Sequence, residues 1–217
     1  AKKNGVLISF DPNLRESLWD SLDTAKEQFA YGMQYCDVLK ISDNEIQWFT
    51  GKEDYEEGVK TLQDTYHIPL IFLSLGRDGS RAYYKDMKVE VPAFIQENTI
   101  ETTGAGDTFF GSALHFVLEK GLENLSENDL TEMLTFANAA ASIITTRKGA
   151  LKVMPSRAEV ETLITLATSL CNKPLFSLNI FNLFIFIAPY IYYTTYCIIC
   201  KTFYHFLPYS HKQSNKT

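Results

Sequence analysis

A chain of 217 residues, 46% of them hydrophobic, can bury the core of one ordinary domain. Its 20 basic and 26 acidic residues leave a formal charge of −6, which argues against the clustered basic footprint that nucleic acid requires. The same balance leaves phosphorylated small molecules open, because their sites are local and often built from backbone amides.

Taken in chain order, residues 6–10 form a short apolar run ended by Asp11-Pro12, a predicted strand and turn. Residues 17–31 follow a helical period, with Leu18, Leu22, Ala25 and Phe29 on one face. A second strand is predicted over 38–41, then a helix near 45–49 that stops at Gly51. Residues 54–65 read as a helix and 69–75 as a strongly apolar strand before the turn Gly76-Arg77-Asp78-Gly79. Two strands over 81–84 and 88–91 flank Lys85-Asp86, and helices follow over 106–119, 130–146 and 155–167. Strands alternating with helices predict an α/β domain with a mainly parallel sheet covered on both faces, whose ligands lie beyond the carboxyl ends of the strands.

Beyond about residue 168 the composition changes. From Pro174 to Cys200 no residue is charged, a run long enough to span a bilayer but interrupted by Asn179, Asn182 and Pro189. Phe, Ile, Asn, Lys and Tyr are also what AT-rich codons encode. Residues 169–217 are therefore read as an aberrant tail, out of frame or past a lost stop, ahead of a membrane anchor, and 1–168 as the folded body. Cys197-x-x-Cys200 has metal or redox spacing but lies in that tail without a second pair. Four cysteines, the other two being Cys36 and Cys171, are too few and too scattered for a disulfide scaffold, and Ala1–Asn4 leads straight into an apolar run rather than a secretory leader. A cytoplasmic body is expected. The isolated His67 and His115 read as packed or solvated, and Trp19 and Trp48 as core.

The sharpest chemical signal is Glu101-Thr102-Thr103-Gly104-Ala105-Gly106-Asp107-Thr108-Phe109, running into an apolar helix. Glycines at 104 and 106 let the backbone approach a ligand, and the helix offers its free amides and positive end there. Such amides stabilise the charge of a phosphoryl group in transfer, and Asp107 in the first turn could accept a proton from an attacking hydroxyl. On residue types alone, a Gly-rich turn capped by an acidic residue reads equally well.

The string Thr-Thr-Gly-Ala-Gly-Asp-Thr-Phe resembles the carboxyl-terminal signature of the ribokinase-like (PfkB) carbohydrate kinases. That resemblance implies a three-layer α/β/α fold, with Asp107 as catalytic base and the amides of Gly104, Ala105, Gly106 and Asp107 as the anion hole. Glu101 stands where the family usually has aspartate, a position that in some members belongs to a monovalent-cation site, so potassium is a possible ligand. Other segments agree in the family's order. Ser74-Leu75-Gly76-Arg77-Asp78-Gly79 resembles the turn that contacts ATP phosphates, although a plain hairpin has the same signature. Phe136-Ala137-Asn138-Ala139-Ala140 resembles the helix beside the adenine, with Asn138 at the nucleotide edge; close helix packing also explains its alanines. Thr146-Arg147-Lys148-Gly149-Ala150 resembles the following loop, which implies Gly149 near the nucleotide and cation. Ser42-Asp43-Asn44-Glu45 occupies the family's Asn-x-x-Glu position, implying Glu45 near magnesium, or a simple helix-start acid. Phe10-Asp11-Pro12-Asn13-Leu14-Arg15 resembles the fructokinase branch and implies Asp11, Asn13 and Arg15 near the sugar, with Arg15 able to grip phosphate or to be a solvated turn residue. No Gly-x-x-x-x-Gly-Lys-Ser/Thr loop is present, which sets P-loop kinases aside.

The resemblance implies ATP, magnesium and a small sugar as ligands, with fructose going to fructose 6-phosphate. Ribose, 2-keto-3-deoxygluconate, a nucleoside, or a non-catalytic nucleotide-binding remnant are the alternatives. Family members carry a comparable length of chain before this point, with early strands, a sugar contact and a lid that often forms a homodimer. The chain is accordingly expected to be a fragment lacking those strands and the lid, and a poor enzyme alone.

Overall fold

The computed structural model of the chain describes residues 1–171. The apolar tail, its candidate span and Cys197-x-x-Cys200 lie outside the described residues. Among the described residues no helix is long and apolar enough to cross a membrane. The chain divides into two compact units, Ala1–Ile164 and Thr165–Thr217, and the strands and first five helices belong to the first.

Five strands form one sheet in sequence order: β1 Ser9–Phe10, β2 Val38–Ser42, β3 Leu70–Ser74, β4 Ser80–Tyr84 and β5 Met87–Val91. The pairs β1–β2 and β2–β3 are parallel, while β3–β4 and β4–β5 are antiparallel. Four of the five strands thus point one way, because β4 is a hairpin return between β3 and β5. The helices are α1 Leu22–Met33, α2 Asp43–Thr50, α3 Tyr55–Tyr66, α4 Ala105–Lys120, α5 Glu127–Ile144 and α6 Arg157–Cys171.

The period-2 alternation of the strands makes the three layers. In β3, Leu70 and Phe72 face one cluster with Val38, Ala82, Tyr84 and the buried faces of α4 and α5. Ile71 and Leu73 face the opposite cluster, with Leu39, Ile41, Phe29, Met33, Ile46, Val59 and Leu62 from β2 and α1–α3. Truncating a fully buried Leu such as Leu73 to Ala removes about 2–5 kcal/mol in cores of this kind. Phe29 is the hub of the second cluster, with Phe10, Trp19, Trp48 and Phe49 rings at centroid distances of 5.4 to 6.4 Å. Trp19 and Trp48 are half-buried against it rather than fully enclosed.

Local chemistry corrects several predicted boundaries. The predicted strand over 6–10 shrinks to β1, since Val6 and Leu7 are exposed and only Ser9 and Phe10 pair with β2. The predicted helix over 17–31 begins only at Leu22, where the Ser21 side chain accepts the Thr24 amide. Its first turn is a separate short 3-10 segment, Glu16–Leu18, which leaves Leu18 80% exposed. Helix α5 starts three residues earlier than predicted because Ser126 and Asp129 close a capping box.

Cys36 is buried just before β2. Burial first, then the neighbouring Asp37 charge, pushes its thiol from 9.0 up to about 12. The folded value lies above the unfolded one. The stability this group contributes is therefore whole below pH 9 and is lost as pH rises from 9 to about 12. Mass spectrometry after iodoacetamide at pH 8 is expected to find Cys36 unmodified in the native chain and fully alkylated in urea. Alkylation at equal rates in both states would contradict the buried thiol.

Candidate active site

Because β1, β2 and β3 run parallel, their carboxyl ends open on one edge, and β5 ends there too. Ser42 and Ser74 end β2 and β3, and Asp11 and Pro92 follow β1 and β5 directly. The pair Ser42↔Ser74, with Ser74↔Ser80 and Ser80↔Val91, fixes the register of that edge.

At the start of α4, Gly104 adopts φ 79° and turns the chain into the helix. Side chains cap α1, α2, α3 and α5, but none caps α4. The Ala105 amide is taken by the Thr102 carbonyl at 3.1 Å, whereas Gly106 and Asp107 carry amides that a helix leaves without an internal acceptor. Asp107 is exposed at the third helical position, and the buried hydroxyl of Thr108 beside it has no hydrogen-bond partner among the described residues. An edge-to-face contact of Phe109 on Phe72, at 6.2 Å, pins this first turn over β3.

Under the turn lies an ion pair that the sequence reading passed over. Lys40 is 6% exposed, and its ammonium lies 3.1 Å from the Asp11 carboxylate. Burial raises the Asp11 carboxyl above its ordinary range; Lys40 pulls it back, while Glu45 and Asp107 add repulsion that raises it. Asp11, Lys40, Glu45 and Asp107 are thus electrostatic neighbours. The signal available in sequence was a lysine inside the apolar strand Val38-Leu39-Lys40-Ile41, where a buried charge demands a partner.

Glu45 is 8% exposed and both of its oxygens are engaged. One accepts the Leu14 amide at 2.7 Å; the other accepts the Ser42 amide at 2.8 Å and hydroxyl at 2.7 Å. It therefore caps α2 and also holds the segment Asp11–Arg15 against it. Within that segment Asn13 makes the turn at φ 48°, a conformation that Asn tolerates, and the exposed Arg15 side chain donates to its neighbour's carbonyl at Leu14.

Two further groups form along the same edge. Gly76 and Gly79 bound the turn after β3 at φ 57° and 109°. Asn138 is buried behind this turn: its Oδ1 accepts the Ser80 hydroxyl at 2.9 Å, and its Nδ2 donates to the carbonyls of Val91 at 3.0 Å and Pro92 at 3.2 Å. Its amide is spent on fixing the exit of β5. The flanking Ala137, Ala139 and Ala140 are buried in packing contacts. Glu101 accepts the Gly149 amide at 2.7 Å, while the Thr145 carbonyl accepts the amides of Ile100 and Glu101. The loop after α5 is thereby fastened to the strand of residues leading into α4. Arg147 anchors that loop to Val153 and to Glu159, whose carboxyl is held down to about 2 by the Ser156 amide, Arg147 and the Ser156 hydroxyl.

The fold therefore packs Asp11 and Gly106 against Lys40, with Glu45 and Asp107 near enough to act on the Asp11 charge, sets Ser74, Gly76 and Gly79 at the end of β3 with Asn138 of α5 behind that turn, and joins Glu101 to Gly149. Among the described residues no three His, Cys, Asp or Glu side chains gather as a metal cage; His67 caps α3, and His115 pairs with Glu119 on the surface. A backbone anion seat, a proton acceptor on it and a glycine turn along the edge suit a nucleotide phosphate and a hydroxyl.

Comparison with known proteins agrees with that chemistry. The family described as pfkB family carbohydrate kinase matches residues 1–157. Fructokinase-1 of Zea mays is 37% identical over 164 residues, 76% of this chain and 50% of its own length. Fructokinase of Vibrio cholerae O395, solved with fructose, ADP and a calcium ion, superposes with a TM-score of 0.68 at 29% identity, covering 75% of this chain and 52% of that one. Aminoimidazole riboside kinase of Salmonella enterica, solved with its riboside and an ATP analogue, gives 0.66 at 27% identity, over 76% and 54%. The chain spans about half the length of the curated relatives it matches.

Proposed function

This chain belongs to the pfkB family of carbohydrate kinases, and from that premise we propose that it is the catalytic part of an ATP-dependent kinase that phosphorylates a primary hydroxyl of a hexose, converting fructose to fructose 6-phosphate. The observation that carries the reading is Asp107 on an uncapped helix start, with Lys40 and Asp11 directly beneath it.

In this reading Asp107 takes the proton of the sugar hydroxyl as its oxygen bonds to the terminal phosphorus of ATP. The bond from that phosphorus to the bridging oxygen breaks, and ADP leaves. The amides of Gly104, Gly106 and Asp107 hold the charge on the transferring group, and Ala105 contributes the turn that aims them. Asp11, Asn13 and Arg15 line the sugar side, kept in place by Glu45 through Leu14. Ser74, Gly76, Gly79 and Gly149 seat the nucleotide, and Asn138 supports that seat from behind through Ser80, Val91 and Pro92. Magnesium, when bound, neutralises phosphate charge. Glu45, the expected magnesium ligand, has both oxygens committed to Leu14 and Ser42, so it would act on the metal only by holding the Asp11–Arg15 segment in place. Glu101 and Gly149, joined by a hydrogen bond, are the residues that would lie nearest a potassium ion.

The riboside kinase of Salmonella enterica favours a second reading, in which the acceptor is a riboside rather than a hexose. A coupled ATP-consumption assay with fructose, ribose, 2-keto-3-deoxygluconate and a nucleoside decides between them. It should be run on this chain and on one extended at its amino terminus to the length of those relatives. Turnover with fructose in preference to the others is the expected result. Preference for a riboside would transfer the assignment to the second reading, and no turnover with any of the four by either chain would refute the kinase.

A further inference from the structure

We infer that Lys40 is a phosphate-contacting residue of this site: its ammonium supplies the charge that meets the terminal phosphate of ATP at the first turn of α4. This rests on the kinase reading above and deepens it.

The fold itself has no use for a lysine at this position. Lys40 is on the β2 face it shares with Val38, where the neighbouring strand residues Leu70, Phe72, Ala82 and Tyr84 are buried in an otherwise apolar cluster. A leucine or methionine there would cost nothing in desolvation. An ammonium 6% exposed costs several kcal/mol, which a single carboxylate partner offsets only in part. Among the described residues its ion-pair partner is Asp11, at 3.1 and 3.2 Å to the two oxygens. Glu45, the other buried carboxylate nearby, is already spent on Leu14 and Ser42.

The ammonium also sits where electrostatics disfavours it. A Cβ built on Gly106 would lie 3.3 Å from its Nζ and 3.8 Å from its Cε, so the lysine tip abuts the second residue of α4. That is the positive end of the helix, where a cation is repelled and an anion attracted. Gly106, having no side chain, is what leaves room for the approach. Two positive elements, a compact ammonium and uncapped amides, therefore converge on one point, the ammonium paired with Asp11. A multiply charged anion with several acceptor oxygens satisfies both at once, and Lys serves phosphate as a point charge. Asp107, one residue beyond Gly106, accepts the hydroxyl proton in the reading above, so the phosphate nearest to Lys40 is the one transferred.

The competing account is that Lys40 only neutralises Asp11. Calorimetric titration of the chain with ATP and with ADP, each with magnesium, separates the two. Lys40→Met is expected to weaken ATP binding about tenfold and ADP binding less than twofold. The double variant Lys40→Met/Asp11→Asn, which leaves no uncompensated carboxylate, is expected to regain the urea midpoint of the parent without regaining its preference for ATP. Equal losses for ATP and ADP, or a double variant with the parent's discrimination, would leave Lys40 as a structural counter-ion and overturn the inference alone. A parent chain that binds neither nucleotide would remove the kinase reading as well.

Discussion

In the chain extended at its amino terminus, Asp107→Asn should leave a folded protein that still binds ATP but, on the kinase reading, transfers phosphate to fructose about 10²–10⁴-fold more slowly, the range expected when a general base is lost. The carboxamide keeps the size and the hydrogen-bonding shape of the carboxylate but cannot take a proton. Asp107 is exposed and belongs to neither buried cluster, so the core around Phe109 and Phe110 is untouched. The control is the Asp11→Asn variant, which strands the Lys40 ammonium and should lower stability as well as rate. Single-turnover phosphorylation read beside the urea midpoint separates the two effects. A rate within twofold of the parent for Asp107→Asn would exclude this carboxylate as the base.

The second large effect is on stability and arises at Gly79. An alanine there would place its Cβ 2.2 Å from the Val91 carbonyl, 2.7 Å from Pro92 Cα and 2.8 Å from the Ala93 amide nitrogen, all of them backbone atoms. The φ of 109° adds strain that an L side chain meets only at a cost. The β5 exit cannot step aside, because Asn138 donates to the carbonyls of both Val91 and Pro92. Overpacking of about 1–3 kcal/mol and backbone strain of about 1–2 kcal/mol add up to roughly 2–5 kcal/mol for Gly79→Ala. Gly76→Ala in the same turn meets nothing within 4 Å and carries only its strain at φ 57°, about 1–2 kcal/mol. Urea denaturation of the two variants is the measurement. If Gly79→Ala proves no more costly than Gly76→Ala, the close approach of the two turns is not what holds this edge.

Gly79 and Asn138 also illustrate the division between what a linear reading can and cannot reach. Both stand in motifs that point to a nucleotide, and the sequence supplies no reason to link them. They meet only because β3, β4 and β5 fold into an antiparallel return that brings Ser80 opposite Val91 and under α5. Asn138, read as a nucleotide contact, has its amide committed to the protein at three atoms, a fact that no spacing rule encodes.

The sequence by itself determined the element types, since apolar period and turn residues are local properties: the strand runs around 38–41 and 69–75, the glycine stops and the helix after Gly104 all follow from them. It also determined the family, because the string around Asp107 and its companion segments occur in one order along the chain. Where α1 and α5 begin was decided by capping side chains, Ser21 before Leu22 and Ser126 before Glu127. Only tertiary structure put a buried ammonium under the helix start: Lys40 becomes part of the site because β2 turns its even-numbered residues toward α4 and Gly106 leaves room above it. Burial, pairing and mutual charge are properties of neighbours in space, and four residues as far apart in sequence as Asp11, Lys40, Glu45 and Asp107 become neighbours only when the parallel strands bring their ends to one edge.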